Sequence, residues 1–110
     1  MRLSLKIGVT LTVTPQIDRI LRVTQVAYAK VMGNAFQVVV TSGNDGTHMK
    51  GSKHYINEAL DFRTGHSWDT PLMTGAEAHA VRDEAKALLG MGFDVVLEKD
   101  HLHVEYDAVA

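Results

Sequence analysis

Six histidines and no cysteine stand in this chain of 110 residues. Thiol catalysis, disulfides and cysteine-based zinc ribbons are therefore excluded, and metal or acid–base chemistry falls to imidazole and carboxylate. Four of the six histidines lie in two short segments, His48 and His54, then His101 and His103. The first segment continues into a carboxylate: Ser52-Lys53-His54 is followed, seven positions after the histidine, by Asp61. The second is preceded by two carboxylates, Glu98 and Asp100. A catalytic zinc takes three protein ligands and leaves one position for water, with His and carboxylate the usual donors where Cys is absent. A water activated there also needs a nearby carboxylate or imidazole to take its proton. His54, Asp61 and a histidine of the last segment supply the ligands, and Glu98, Asp100 or the remaining histidine supplies the base.

Elements must hold those residues. Leu3, Leu5, Ile7, Val9, Leu11 and Val13 alternate with Ser4, Lys6, Gly8, Thr10 and Thr12, the pattern of a half-buried strand or of a hairpin broken near Gly8. Thr14 followed by Pro15 opens a helix. Its apolar stripe is Ile17, Ile20, Leu21, Ala27, Tyr28 and Val31, and Gly33-Asn34 closes it. A β-branched run over 36–41 reads as a buried strand, and 42–52 is a loop rich in Gly, Asp, Asn and Ser. A strand over 58–63 carries Leu60 and Phe62 on one side and Ala59, Asp61 and Arg63 on the other. Thr74 and Glu77 form a capping box for a helix ending near Gly90, whose buried face is Ala78, Val81, Ala85 and Leu88. Strands over 93–98 and 101–106, joined at Lys99-Asp100, place His101 and His103 on one face. The expected fold is α+β, two helices packed on a small antiparallel sheet, in one domain over residues 1–110.

Composition narrows the function classes. The formal net charge of -2 and the lack of a basic run argue against a nucleic-acid partner. No segment approaches the ~18 apolar residues of a membrane span. The alternating start is unlike a signal peptide, so synthesis as a soluble cytoplasmic chain is expected, with release to an outside target left to another factor. A monomer is expected.

The two histidine segments together resemble the zinc D-Ala-D-Ala peptidases. That group includes the vancomycin-resistance carboxypeptidases and phage L-alanyl-D-glutamate endolysins, and shares its core with lysostaphin-type enzymes and the hedgehog signalling domain. Val40-Thr41-Ser42-Gly43, Thr47-His48, Gly51-Ser52-Lys53-His54-Tyr55 and Ala59-Leu60-Asp61-Phe62-Arg63 look like the first half of the family's motif. Asp100-His101-Leu102-His103-Val104-Glu105 looks like its end. The resemblance implies a zinc held by His54, Asp61 and His103. It implies a substrate in the peptidoglycan stem peptide, cut by a carboxypeptidase or an endopeptidase. The family's Asp/Glu-x-x-His fits in two registers, Glu98 with His101 or Asp100 with His103. The His-Val-Glu ending favours the second, with Asp100 as base and His101 beside the water or oxyanion. His48, Ser52 and Arg63 are the residues expected against substrate. The chain departs from the pattern at Asn57, where the family commonly has Gly, and at Asn44, near which it often has an Arg; Arg63 is the substitute cation.

Taken singly, each of these residues has an ordinary reading. His54 is a loop histidine, Asp61 a turn carboxylate, and Glu98 and Glu105 are surface residues. Trp68 and Tyr55 serve equally as cleft walls or as peripheral packing, and His66 and His79 carry no signal. Joint occurrence favours a metal site. The competing function is a zinc-stabilised binding module without turnover; the carboxylates and His101 beside the ligands favour the enzyme.

Overall fold

A computed structural model describes residues 2–45 and 52–108. His48, expected against substrate, lies outside the described residues.

The helices form where their caps dictate. The Thr14 hydroxyl accepts from the amide of Ile17 at 3.1 Å, Pro15 takes the first turn, and α1 spans Pro15–Met32 before stopping at Gly33. Thr74 and Glu77 close a reciprocal capping box, and α2 spans Gly75–Leu89. The buried stripe of α1 is Ile17, Ile20, Thr24, Ala27 and Tyr28. That of α2 is Ala78, Val81, Ala85 and Leu89, with Leu88 turned outward. Position 89, four residues after Ala85, lies nearer the centre of the helical stripe than 88, which corrects the sequence reading.

Among the described residues five strands form one sheet in the order β1-β2-β3-β5-β4, where β1 is Arg2–Leu5, β2 Gln37–Ser42, β3 Ala59–Arg63, β4 Phe93–Leu97 and β5 His101–Tyr106. The α+β class holds. The sheet is mixed: β2–β3, β3–β5 and β4–β5 are antiparallel, but β1 joins β2 in parallel. Helix α1 carries the chain back between them, and such a crossover is what a parallel neighbour requires. The alternating start is therefore a short exposed edge strand. The chain turns at Lys6–Gly8, and the following segment leans Val9 and Leu11 on the core. Alternation alone does not distinguish an edge strand from a half-buried one.

Both helices cover one face of this sheet. Val38 and Val40, Leu60 and Phe62, Val95, and Leu102 and Val104 meet the helical stripes there, nearly all below 3% exposure. Each such side chain stabilises the fold by about 1.5–3 kcal/mol on burial. Tyr28 crosses this core, stacks on Phe36 with centroids 5.9 Å apart, and donates its hydroxyl to the Arg63 carbonyl at 2.9 Å. The alternate residues of the same strands, Thr41, Asp61, Arg63, His101, His103 and Glu105, point away from the helices. No helix among the described residues is long and apolar enough to cross a membrane.

Candidate metal centre

The open face of the sheet assembles the site by register. Asp61 on β3 stands directly opposite His103 on β5, and Arg63 opposite His101. Between Val40 and Ser42 the β2–β3 register shifts by one residue, so that Ser42 faces Asp61. This bulge bends β2 at the edge of the site.

His54 arrives from outside the sheet. A short 3-10 helix over Lys53–Ile56 carries it, with the Ser52 hydroxyl accepting from the His54 amide at 3.2 Å. Asn57 ends this turn in the left-handed region at φ 57°, ψ 46°. Apart from glycine, Asn and Asp take that conformation most readily, which gives a physical reason for Asn where the resembled pattern has Gly. Asn44, the other departure, donates from its side chain to Asn57 Oδ1 at 2.8 Å. The Gly43 carbonyl lies 2.8 Å from His54 Nδ1. A carbonyl only accepts, so Nδ1 carries the proton and Nε2 is the nitrogen turned toward Asp61 and His103.

His54 Nε2 is 3.3 Å from Asp61 Oδ1 and 3.3 Å from His103 Nδ1, and His103 Nδ1 is 2.8 Å from Asp61 Oδ1. Bonds of about 2.0–2.1 Å to a tetrahedral zinc put donor atoms roughly 3.3–3.4 Å apart. Two of the three edges already match, and the third needs only a small opening. The group is withdrawn from solvent, with His54 at 3%, Asp61 at 13% and His103 at 19% side-chain exposure. The three residues thus form a group able to hold a metal ion.

Charge is concentrated here. Burial works against the Asp61 carboxylate, but the hydrogen bond from His103 and the neighbouring His54 imidazole outweigh it and hold its pKa far below the usual range. Burial likewise opposes charge on His103, yet Asp61 and Glu105 overcome it and raise its pKa to about 9. A proton and a cation held by this group would therefore compete for Nδ1.

His101 stands next along β5. Its Nε2 lies 2.6 Å from Glu98 Oε2 and 3.9 Å from Asp61 Oδ2, and its Nδ1 lies 2.9 Å from Asp100 Oδ1. Against the cost of burial, the Asp100 hydrogen bond and the charges of Asp61 and Glu98 raise its pKa. Asp100 is fixed in turn. Its carbonyl accepts from the amides of Thr64 and Gly65, each at 2.9 Å, and its carboxylate accepts from the indole of Trp68 at 3.4 Å. His101 lowers the pKa of this carboxyl. A cleft of about 250 Å³ opens beside His101, lined by Lys6, Thr41, Arg63, Trp68, Asp100 and His101. The Arg63 guanidinium lies over the Trp68 ring, 5.6 Å from its centroid.

The expected ligands His54, Asp61 and His103 thus come together. Glu98 and Asp100 gather on His101, with Glu98 at the nitrogen facing the ligand group and Asp100 at the far one. Ser52 caps the turn that carries His54, and Arg63 lines the cleft. Sequence reasoning passed over Glu105, whose Oε1 lies 2.8 Å from His103 Nε2. The signal was available: 101, 103 and 105 share one face of a strand. His66 bonds to Thr64 and His79 to the Gly75 carbonyl, local contacts with no part in the site. Comparison with family models, curated proteins and solved structures finds no match for this chain.

Proposed function

We propose that this chain is a zinc metallopeptidase that hydrolyses a peptide bond in the peptidoglycan stem peptide. The observation that carries the metal part is the pair of 3.3 Å edges from His54 Nε2 to Asp61 and His103, close to a tetrahedral zinc. The peptidase part rests on the resemblance of both motif halves and on His101 and Glu98 standing beside those ligands on the same face.

Zinc held by these three residues would polarise a peptide carbonyl and lower the pKa of a water to about 7. The chain's own groups then manage the protons. Glu98 takes the proton of the attacking water. His101, whose charged form Asp100, Asp61 and Glu98 favour against the cost of burial, gives its Nε2 proton to the departing nitrogen. The 2.6 Å contact between Glu98 Oε2 and His101 Nε2 returns the proton, so the pair ends as it began. Asp100 binds Nδ1 and holds the ring in place. Lys6 and Arg63 make the cleft attractive to an anionic part of the substrate, and Trp68 walls it.

Elemental analysis of gently purified protein and hydrolysis of muramyl-peptide substrates test both parts. About one zinc per chain and release of a stem-peptide fragment are expected. A chain that neither holds nor takes up zinc sinks the metal reading. A chain that binds zinc but cleaves no stem peptide of any cross-link type leaves the binding-module function in its place.

A further inference from the structure

We infer that Glu105 is a positioning residue for the metal centre, selecting which nitrogen of His103 faces the ion; this rests on the reading of His54, Asp61 and His103 as ligands. A neutral imidazole has one donor and one acceptor nitrogen, and only the acceptor can bind a cation. Left to itself, His103 is drawn to the wrong tautomer: Asp61 Oδ1, 2.8 Å from Nδ1, favours a proton on that nitrogen and so blocks it. Glu105 Oε1 lies 2.8 Å from the opposite nitrogen, Nε2. A carboxylate oxygen facing a ring nitrogen accepts from it, so Glu105 holds the proton on Nε2 and leaves the Nδ1 lone pair for the ion.

The surroundings support the assignment. Glu105 follows His103 by two residues on one face of β5, so strand geometry brings the side chains together. Across the ladder it faces Ala59 on β3 and Asp94 on β4. Ala59 offers no competing donor, and a carboxylate opposite Asp94 is unfavourable unless it has a donor of its own; His103 is that donor. The Gly43 carbonyl serves His54 in the same way, from the other ring nitrogen. The two imidazoles thus present opposite nitrogens, Nε2 and Nδ1, each fixed by an acceptor behind it.

The test is zinc affinity of the full chain, measured by competition with a chromogenic chelator, together with the visible spectrum of the cobalt-loaded protein. Glu105→Ala should weaken zinc binding about 10–100-fold, the usual effect of losing such a partner, and should alter the cobalt spectrum. Glu105→Gln, whose amide oxygen still accepts from Nε2–H, should recover most of the affinity and the wild-type spectrum. Imidazole nitrogen NMR of zinc-loaded wild type supplies a readout that needs no variant, with the His103 proton expected on Nε2. A His103 proton on Nδ1, or a Glu105→Ala chain with wild-type affinity and spectrum, overturns the role of Glu105 and leaves the metal reading standing. Wild-type protein that takes up neither ion overturns both.

Discussion

Loading the metal-free chain with zinc at pH 7 should expel about one proton from His103. The Nδ1 atom that would face the ion lies against Asp61, and Nε2 lies against Glu105, so the ring is charged up to a pKa of about 9. At pH 7 such a group is protonated in roughly 99% of molecules. The proton must leave before Nδ1 can donate to a metal. Asp61 contributes none, because its carboxyl is ionised far below neutrality. Apparent affinity should therefore gain about tenfold per pH unit from this group between pH 7 and 8, and that gain should level off above the His103 value. Calorimetric titrations in buffers of different ionisation heat count the protons, and chelator competition across the pH range gives the slope. Zinc uptake at pH 7 with no proton released and an affinity flat from pH 7 to 8 would refute the placement of the ion at His103 Nδ1.

The metal-free fold should itself depend on pH. The folded value of His103 lies above its ordinary one, so the contribution is complete below about pH 6.5 and lost as pH rises through about 9, on the order of 3 kcal/mol. Denaturant melts at pH 6 and 9.5 check it, and saturating zinc should flatten this dependence. His103→Ala should lose zinc. His101→Ala and Glu98→Ala should keep it and lose about 10²–10⁴-fold in hydrolysis, with a smaller loss for Asp100→Ala; a fully active Glu98→Ala beside an inactive Asp100→Ala would return the base to Asp100. Gly43→Ala should lower stability by about 1–3 kcal/mol and weaken zinc binding, because the new Cβ would stand 2.2 Å from the Thr10 carbonyl oxygen and displace the acceptor of His54. Thr24→Val should be neutral or stabilising by about 1 kcal/mol in a thermal melt, since the buried Thr24 hydroxyl has no hydrogen-bond partner among the described residues.

Period and capping made much of this legible in the sequence. Thr14-Pro15 and the Thr74–Glu77 box start the two helices where expected. The alternation 101, 103 on β5 and 59, 61, 63 on β3 already puts the histidines and Asp61 on faces that could meet. That they do meet depends on the β3–β5 register, Asp61 against His103, a pairing of strands far apart in the chain that leaves no period to read. His54 was visible as a residue type but not as a position. Its place comes from a single 3-10 turn, a serine cap and a left-handed Asn57. Lys6 was equally hidden, because only the parallel pairing of β1 with β2 brings it beside a cleft bordered by His101.

The two departures from the resembled pattern, at Asn44 and Asn57, look unrelated in the sequence yet form one structural unit. Asn57 adopts the left-handed conformation that glycine would take there, and its side-chain oxygen receives the Asn44 amide. The Asn57 carbonyl also receives the Thr14 hydroxyl at 3.0 Å, linking the turn to the start of α1. Asn44 is thus committed to bracing the turn that carries His54, a use that a long cation at the same position would not serve in the same way. Positive charge beside the site comes instead from Arg63, directly across the ladder from His101, and from Lys6 at the end of the added parallel strand. An anionic group drawn to those cations would lie along the His101 side of the ligand group. That is also where Glu98 and His101 share their 2.6 Å contact, so the proposed binding and proton transfer would fall on the same edge of the site.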